Sequence, residues 1–162
     1  MPYVGLVVLT LGTLAFLGWL VGWLVRRDRR VLRRETDAEL GEIQFTRYEW
    51  TCARPVALSG MSVKLSGAAA GPGISESQRK TVKFLRNELS ALVPKAIASG
   101  KKHLGESHAG EDVDLVLESV PVLESEGCFE LWFGSPSNPN PIPWGLIVEF
   151  SSGKVVSVEA MH

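Results

Sequence analysis

The chain has 162 residues, two cysteines and a formal net charge of −1. That charge is unevenly placed: residues 26–34 hold six arginines against one aspartate, a local +5, which leaves −6 on residues 35–162. An acidic bulk argues against nucleic acid as a partner, since that binding runs on cationic surface. The two cysteines have no CxxC spacing and no neighbouring histidine, which argues against a metal site.

Residues 4–25 carry no charge. Built as a helix, such a run spans roughly 33 Å, against about 30 Å for a bilayer hydrocarbon core. Its polar groups, Thr10 and Thr13, can bond back to helix carbonyls. A cleaved signal peptide would need a basic leader, a shorter apolar core and a small-residue cleavage site. Here no basic residue precedes the run and Arg26 follows it directly. A single domain of this size has no need of a helix that is apolar all round. Residues 1–25 are therefore read as an uncleaved single-pass transmembrane anchor.

Arg26, Arg27, Arg29, Arg30, Arg33 and Arg34 flank one end of the run and Met1, Pro2 and Tyr3 the other. The positive-inside rule places the C-terminal bulk in the cytoplasm. Tyr3 at one end and Trp19 and Trp23 at the other fit interfacial aromatic belts. The same arginines are candidate membrane-surface residues, able to hold anionic headgroups at about 1 kcal/mol each; setting topology alone is the alternative. Gly18 and Gly22 form a small-xxx-small pair, a candidate helix-pairing site through which the chain could oligomerise.

Residues 26–40 are expected to continue as a basic, helical juxtamembrane stalk ending at Gly41. Residues 41–162 are expected to form one cytoplasmic α+β domain. Residues 42–52 read as a strand, with Ile43, Phe45 and Arg47 on one face and Gln44, Thr46, Tyr48, Trp50 and Cys52 on the other. A second strand pair or one bent strand follows through Val56–Leu58 and residues 62–66, with Ser59-Gly60 as a turn. Ser75 and Gln78 form a capping box that opens a helix. Its apolar stripe runs through Val82, Leu85, Leu89, Leu92, Val93, Ala96 and Ile97. Arg79, Lys80, Lys83 and Arg86 lie mostly away from it, as a solvated face or, alternatively, a binding patch. Pro94 is expected to kink or restart this helix and Ser99-Gly100 to end it, with a polar loop over 101–112.

Four strands are expected after the helix. One runs from residue 113 towards Leu123 and carries Pro121, which suits an edge or a bend. Another covers 129–133, and the last two, 144–150 and 154–159, form a hairpin. The fold class is thus α+β: a single N-terminal transmembrane helix, then a mostly antiparallel sheet with one main helix packed on it.

Between the last strands, residues 135–145 carry four prolines. A stiff loop can present Asn138, Asn140 and Trp144 as a binding surface at low entropic cost, or can simply connect two strands. No catalytic motif is present: no GxSxG, no phosphate-binding GxxxxGK[ST], no HExxH. His103 and His108 are five apart, wider than a helical ligand pair, and His162 is terminal. Asp112, Asp114 and Glu118 share a strand parity, which reads as a charged solvent face rather than acid–base machinery. No cofactor or metal is expected.

Three segments resemble a bacterial α+β domain family of largely unknown function: Gly41-Glu42-Ile43, Ser75-Glu76-Ser77-Gln78-Arg79, and Trp144-Gly145-Leu146-Ile147-Val148-Glu149-Phe150 with Gly153-Lys154-Val155-Val156. In that family an Asp-Pro-Glu-His-Gly motif precedes the closing hairpin. Here residues 140–145 keep a proline and the glycine but lack the acid and the histidine. Members often occur near contact-toxin systems. The resemblance implies an interaction or immunity role at the bacterial inner membrane, with a toxin or a membrane-complex subunit as protein partner.

Overall fold

The sheet begins earlier than the sequence pattern predicts. In the computed structural model, which describes residues 30–69, 71–107, 115–134 and 145–161, Arg33–Asp37 form a strand, β1, rather than the expected helical stalk. Two local features turn the chain back on itself. The Asp37 carboxylate accepts the N–H groups of Glu39 (2.8 Å) and Leu40 (3.1 Å), and Gly41 takes φ +75°, where a side chain would be strained. β2 (Gly41–Phe45) then pairs antiparallel with β1.

The single strand expected over residues 42–52 is a hairpin of β2 and β3 (Glu49–Cys52). The Thr46 hydroxyl closes it, bonding the Glu49 carbonyl and the Tyr48 and Glu49 N–H groups. The reversal changes the parity, so that Ile43, Phe45 and Trp50 all face the core.

β4 (Val56–Leu58) and β5 (Met61–Ala68) form a hairpin whose two-residue turn, Ser59-Gly60, has both φ angles positive (50° and 80°). β3 pairs with the far end of β5 and β4 with its start. After the helix come β6 (Val116–Val122), β7 (Cys128–Gly134), β8 (Gly145–Ser151) and β9 (Lys154–Met161), each antiparallel to the next.

The sheet has nine strands in the order β1-β2-β3-β5-β6-β7-β8-β9, with β4 also on β5. It is mixed: β5 and β6 run parallel. This corrects the expected fold class, a transmembrane helix followed by a mostly antiparallel sheet. A parallel pair needs a crossover connection, and the helix between β5 and β6 supplies it. Among the described residues no helix is long and apolar enough to cross a membrane; residues 4–25 lie outside them. Pro121, expected at an edge or a bend, sits in an interior strand opposite Ser66. A proline removes one donor there and leaves its carbonyl available.

The helix, α1 (Glu76–Ser107), has 32 residues, a length of about 48 Å. It crosses one face of the sheet, touching β4 to β9. The capping box forms: the Gln78 N–H donates to Ser75 Oγ (3.2 Å) and the Ser75 N–H to Gln78 Oε1 (3.1 Å). Val82, Leu85, Leu89, Leu92 and Ala96 are buried against the sheet.

The expected stop at Ser99-Gly100 is not one. Gly100 is buried, and a Cβ there would collide with the buried Leu146 side chain. This glycine lets helix and sheet approach closely. Pro94 lies within the helix. It and Ser90, whose carbonyl loses its donor, are both exposed, so water can take the free acceptor. The core fills the space between helix and sheet. Phe129 and Phe150, directly opposite on β7 and β8, stack at 5.1 Å, and Trp50 lies over Gly67.

Candidate functional site

Of the residues singled out by sequence, many fall outside the described ones: Gly18, Gly22, Arg26, Arg27, Arg29, Asp112, Asp114, Asn138, Asn140 and Trp144. The segment carrying Asn138, Asn140 and Trp144 joins Gly134 to Gly145, which pair in register beside Val116 and Met161.

Arg30 is exposed. Arg33 and Arg34 are placed in β1, where they serve the fold. The Arg33 guanidinium lies 4.5 Å from the Phe45 ring centroid, bonds the Pro72 carbonyl and pairs with Glu35. Arg34 pairs with Glu42 at 3.6 Å. On α1, Arg79 bonds Asp37 (2.8 Å), Arg86 bonds the Glu39 carbonyl (3.0 Å) and Lys80 bonds Glu126 (3.1 Å). The basic face of the helix thus ties it to the β1–β2 and β6–β7 turns.

The helix covers one face of the sheet, and alternation along β6 to β9 assigns side chains to the other. Phe129, Leu131 and Phe133 are buried beneath α1, so Glu130 and Trp132 point away from it. On β8, Leu146, Val148 and Phe150 are buried, and Ile147 and Glu149 point away. Register builds these into rows: Ser119, Trp132, Ile147 and Glu159 in one, and Glu130, Glu149 and Ser157 in the next. Glu118 is an extra residue in β6, at the bulge between Leu117 and Ser119. Its carboxylate lies over Gly134, in space a Cβ would fill.

The result is an apolar pair, Trp132 and Ile147, set among four carboxylates. Trp132 Nε1–H donates to Glu130 Oε2 at 2.6 Å and fixes that carboxylate beside the indole. Glu130 and Glu149 are directly opposite, a like-charge cross-strand pair that works against folding. Among the described residues, the cations that register places on this face are Lys64, opposite Ser119 on β5, and Lys154 at the β8–β9 turn. Among the described residues none of these six charged groups is in an ion pair. Alternation within CFELWFG and GLIVEFS was enough to set these side chains outward. The register that places Glu130 against Glu149 is a property of the folded sheet.

A concavity of about 290 Å³ lies between the first turns of α1 and the β6–β7 and β8–β9 turns, lined by Lys80, Thr81, Phe84, Glu126, Gly127 and Ser152. Its polar groups are engaged with one another. Lys80 pairs with Glu126 and Glu76, which raise its pKa. Thr81 Oγ1 accepts the Gly127 N–H and donates to the Ser77 carbonyl.

Both cysteines are free thiols. Burial, with Asp37 nearby, pushes Cys52 up to about 11, so it stays protonated and unreactive at neutral pH. No cluster of three or more metal-ligating side chains occurs among the described residues.

Comparison with family models, with curated proteins and with solved structures found no match for this chain. The family resemblance therefore rests on its three quoted segments alone.

Proposed function

We propose that the chain is a membrane-anchored, non-enzymatic protein-interaction module: an immunity protein that neutralises a toxin at the bacterial inner membrane, its C-terminal domain in the cytoplasm. The observation that carries this reading is the face of β6 to β9 turned away from α1, where Trp132 and Ile147 lie among carboxylates that join no ion pair among the described residues. Flat surfaces of this composition bind proteins more readily than small molecules, which need enclosure. The uncharged run at 4–25 and the arginines behind it support the anchor and its orientation.

The test has two arms. A C-terminal fluorescent-protein fusion should glow and a C-terminal alkaline-phosphatase fusion should stay inactive; the reverse pattern overturns the topology. Purification of the tagged full chain from its native host should recover a stoichiometric protein partner. Recovery of none, with no toxin gene adjacent, overturns the immunity reading.

A second reading is an accessory subunit of a larger membrane complex, held through the span; the Gly18/Gly22 pair favours it. Replacing residues 1–25 by an unrelated span separates the two: a tethered binder keeps its partner and a subunit held by its helix loses it.

A further inference from the structure

We propose that the face of β6 to β9 turned away from α1 docks a basic segment of a protein partner, with an arginine or lysine side chain laid on Trp132 between Glu130 and Glu149. The inference rests on the interaction-module reading and names the chemistry of its partner.

Three observations select a cationic protein segment. The first is charge: Glu118, Glu130, Glu149 and Glu159 are on or beside this face, with Lys64 and Lys154 as its cations at the periphery. A face so balanced attracts and orients a basic partner.

The second is the opposition of Glu130 and Glu149. Directly opposed carboxylates repel at the short cross-strand distance. Both are half-buried, so water screens them incompletely. A cation arriving between them converts that repulsion into two charge-assisted hydrogen bonds.

The third is the indole. Trp132 is half-buried on the face and holds Glu130 through its N–H at 2.6 Å, which leaves the ring face free of that bond. Ile147 extends the apolar area beside it. Guanidinium and ammonium groups bind such a ring by cation–π attraction, while the aliphatic stem covers the neighbouring apolar side chain. A bare divalent metal would use the carboxylates and leave the indole and Ile147 without a role.

The experiment uses the full chain in lipid nanodiscs, titrated with a twelve-residue arginine-rich peptide and read by calorimetry. The double substitution Glu130→Gln/Glu149→Gln should weaken peptide binding at least tenfold. Trp132→Leu should weaken it three- to tenfold with the carboxylates intact. Glu76→Gln/Glu88→Gln, an equal charge change on the exposed helix face, should alter it less than twofold. Because Glu130→Gln/Glu149→Gln removes a repulsion, its melting temperature should match or exceed that of the parent, so lost binding cannot be put down to unfolding. Equal weakening by both double variants would reduce the effect to diffuse attraction and overturn the proposal. Binding of calcium at this face, with no peptide affinity, would overturn it too.

The two readings fail differently. A native partner retained by Glu130→Gln/Glu149→Gln removes this docking face and leaves the interaction module. Absence of any partner from parent and variant alike removes the module itself.

Discussion

Gln78 joins three parts of the molecule through one side chain. Its Oε1 accepts the Ser75 N–H and the Trp50 indole N–H (3.2 Å), and its Nε2 donates to the Ala68 carbonyl (2.8 Å). It is 1% exposed and Trp50 is fully buried. Replacing it with leucine strands the buried Trp50 indole N–H and the half-buried Ala68 carbonyl, at a cost of about 2–4 kcal/mol. Urea unfolding of the two chains checks this. The sequence makes half of this residue legible. Ser75 and Gln78 stand in a local i, i+3 relation that needs no tertiary knowledge, whereas Trp50 and Ala68 reach Gln78 only after the Thr46 turn has brought the indole inward.

Asp37 gives the pH dependence its sign. Burial pushes its carboxyl up, but the N–H groups of Glu39 and Leu40 and the Arg79 guanidinium together hold it below the ordinary aspartate value. A carboxylate whose folded pKa is lowered stabilises the fold above its unfolded pKa of about 3.9, and that contribution is lost as pH falls through the folded value. Asp37→Asn should therefore cost about 1–2 kcal/mol at pH 7 and progressively less as pH falls through the lowered folded value. Denaturant midpoints across the acid range would show the two curves converging.

At the level of elements, the start of α1 is written locally and its course is not. Ser99-Gly100 has the composition of a helix end, yet Gly100 serves contact with Leu146. In an ordinary helix interior, Gly→Ala stabilises by about 0.5–1 kcal/mol. Here the added methyl meets the buried Leu146 side chain, and Gly100→Ala should instead destabilise by about 1–3 kcal/mol. Thermal unfolding of the variant settles the sign. β1 was hidden for a related reason. Arg33-Arg34-Glu35-Thr36-Asp37 has no apolar alternation, and it is held by Arg33 over Phe45 and by the Asp37–Arg79 contact with α1. The C-terminal strands were easier to read. Phe129, Leu131 and Phe133 alternate cleanly, and Ser152-Gly153, with φ 50° and 75°, makes the tight turn that its sequence suits.

For the whole molecule, α1 is the only helix among the described residues and lies on one side of the sheet, and the proposed function stands on the other side. A surface of this kind escapes motif reading, because Trp132, Ile147, Glu130, Glu149 and Glu159 come from three strands and meet only through register. The parallel seam escaped it as well, since strand–helix–strand order alone does not say that β5 and β6 become neighbours.

That seam also makes the chain divisible. The antiparallel pairs β1–β2, β2–β3, β4–β5, β6–β7, β7–β8 and β8–β9 each join strands consecutive in sequence, whereas β5 and β6 must find each other across the whole of α1. Local pairings close cheaply and early; the distant one carries the loop-closure entropy and sets the pace of folding. The exposed Gly71-Pro72 link precedes the helix, so a chain cut there loses no strand pairing. The halves 1–71 and 72–162, made separately, should reassemble on mixing with native-like near-ultraviolet dichroism. A Ser66→Pro change in the first half, which removes a donor from the interior β5 at the residue facing Pro121, should abolish that recovery.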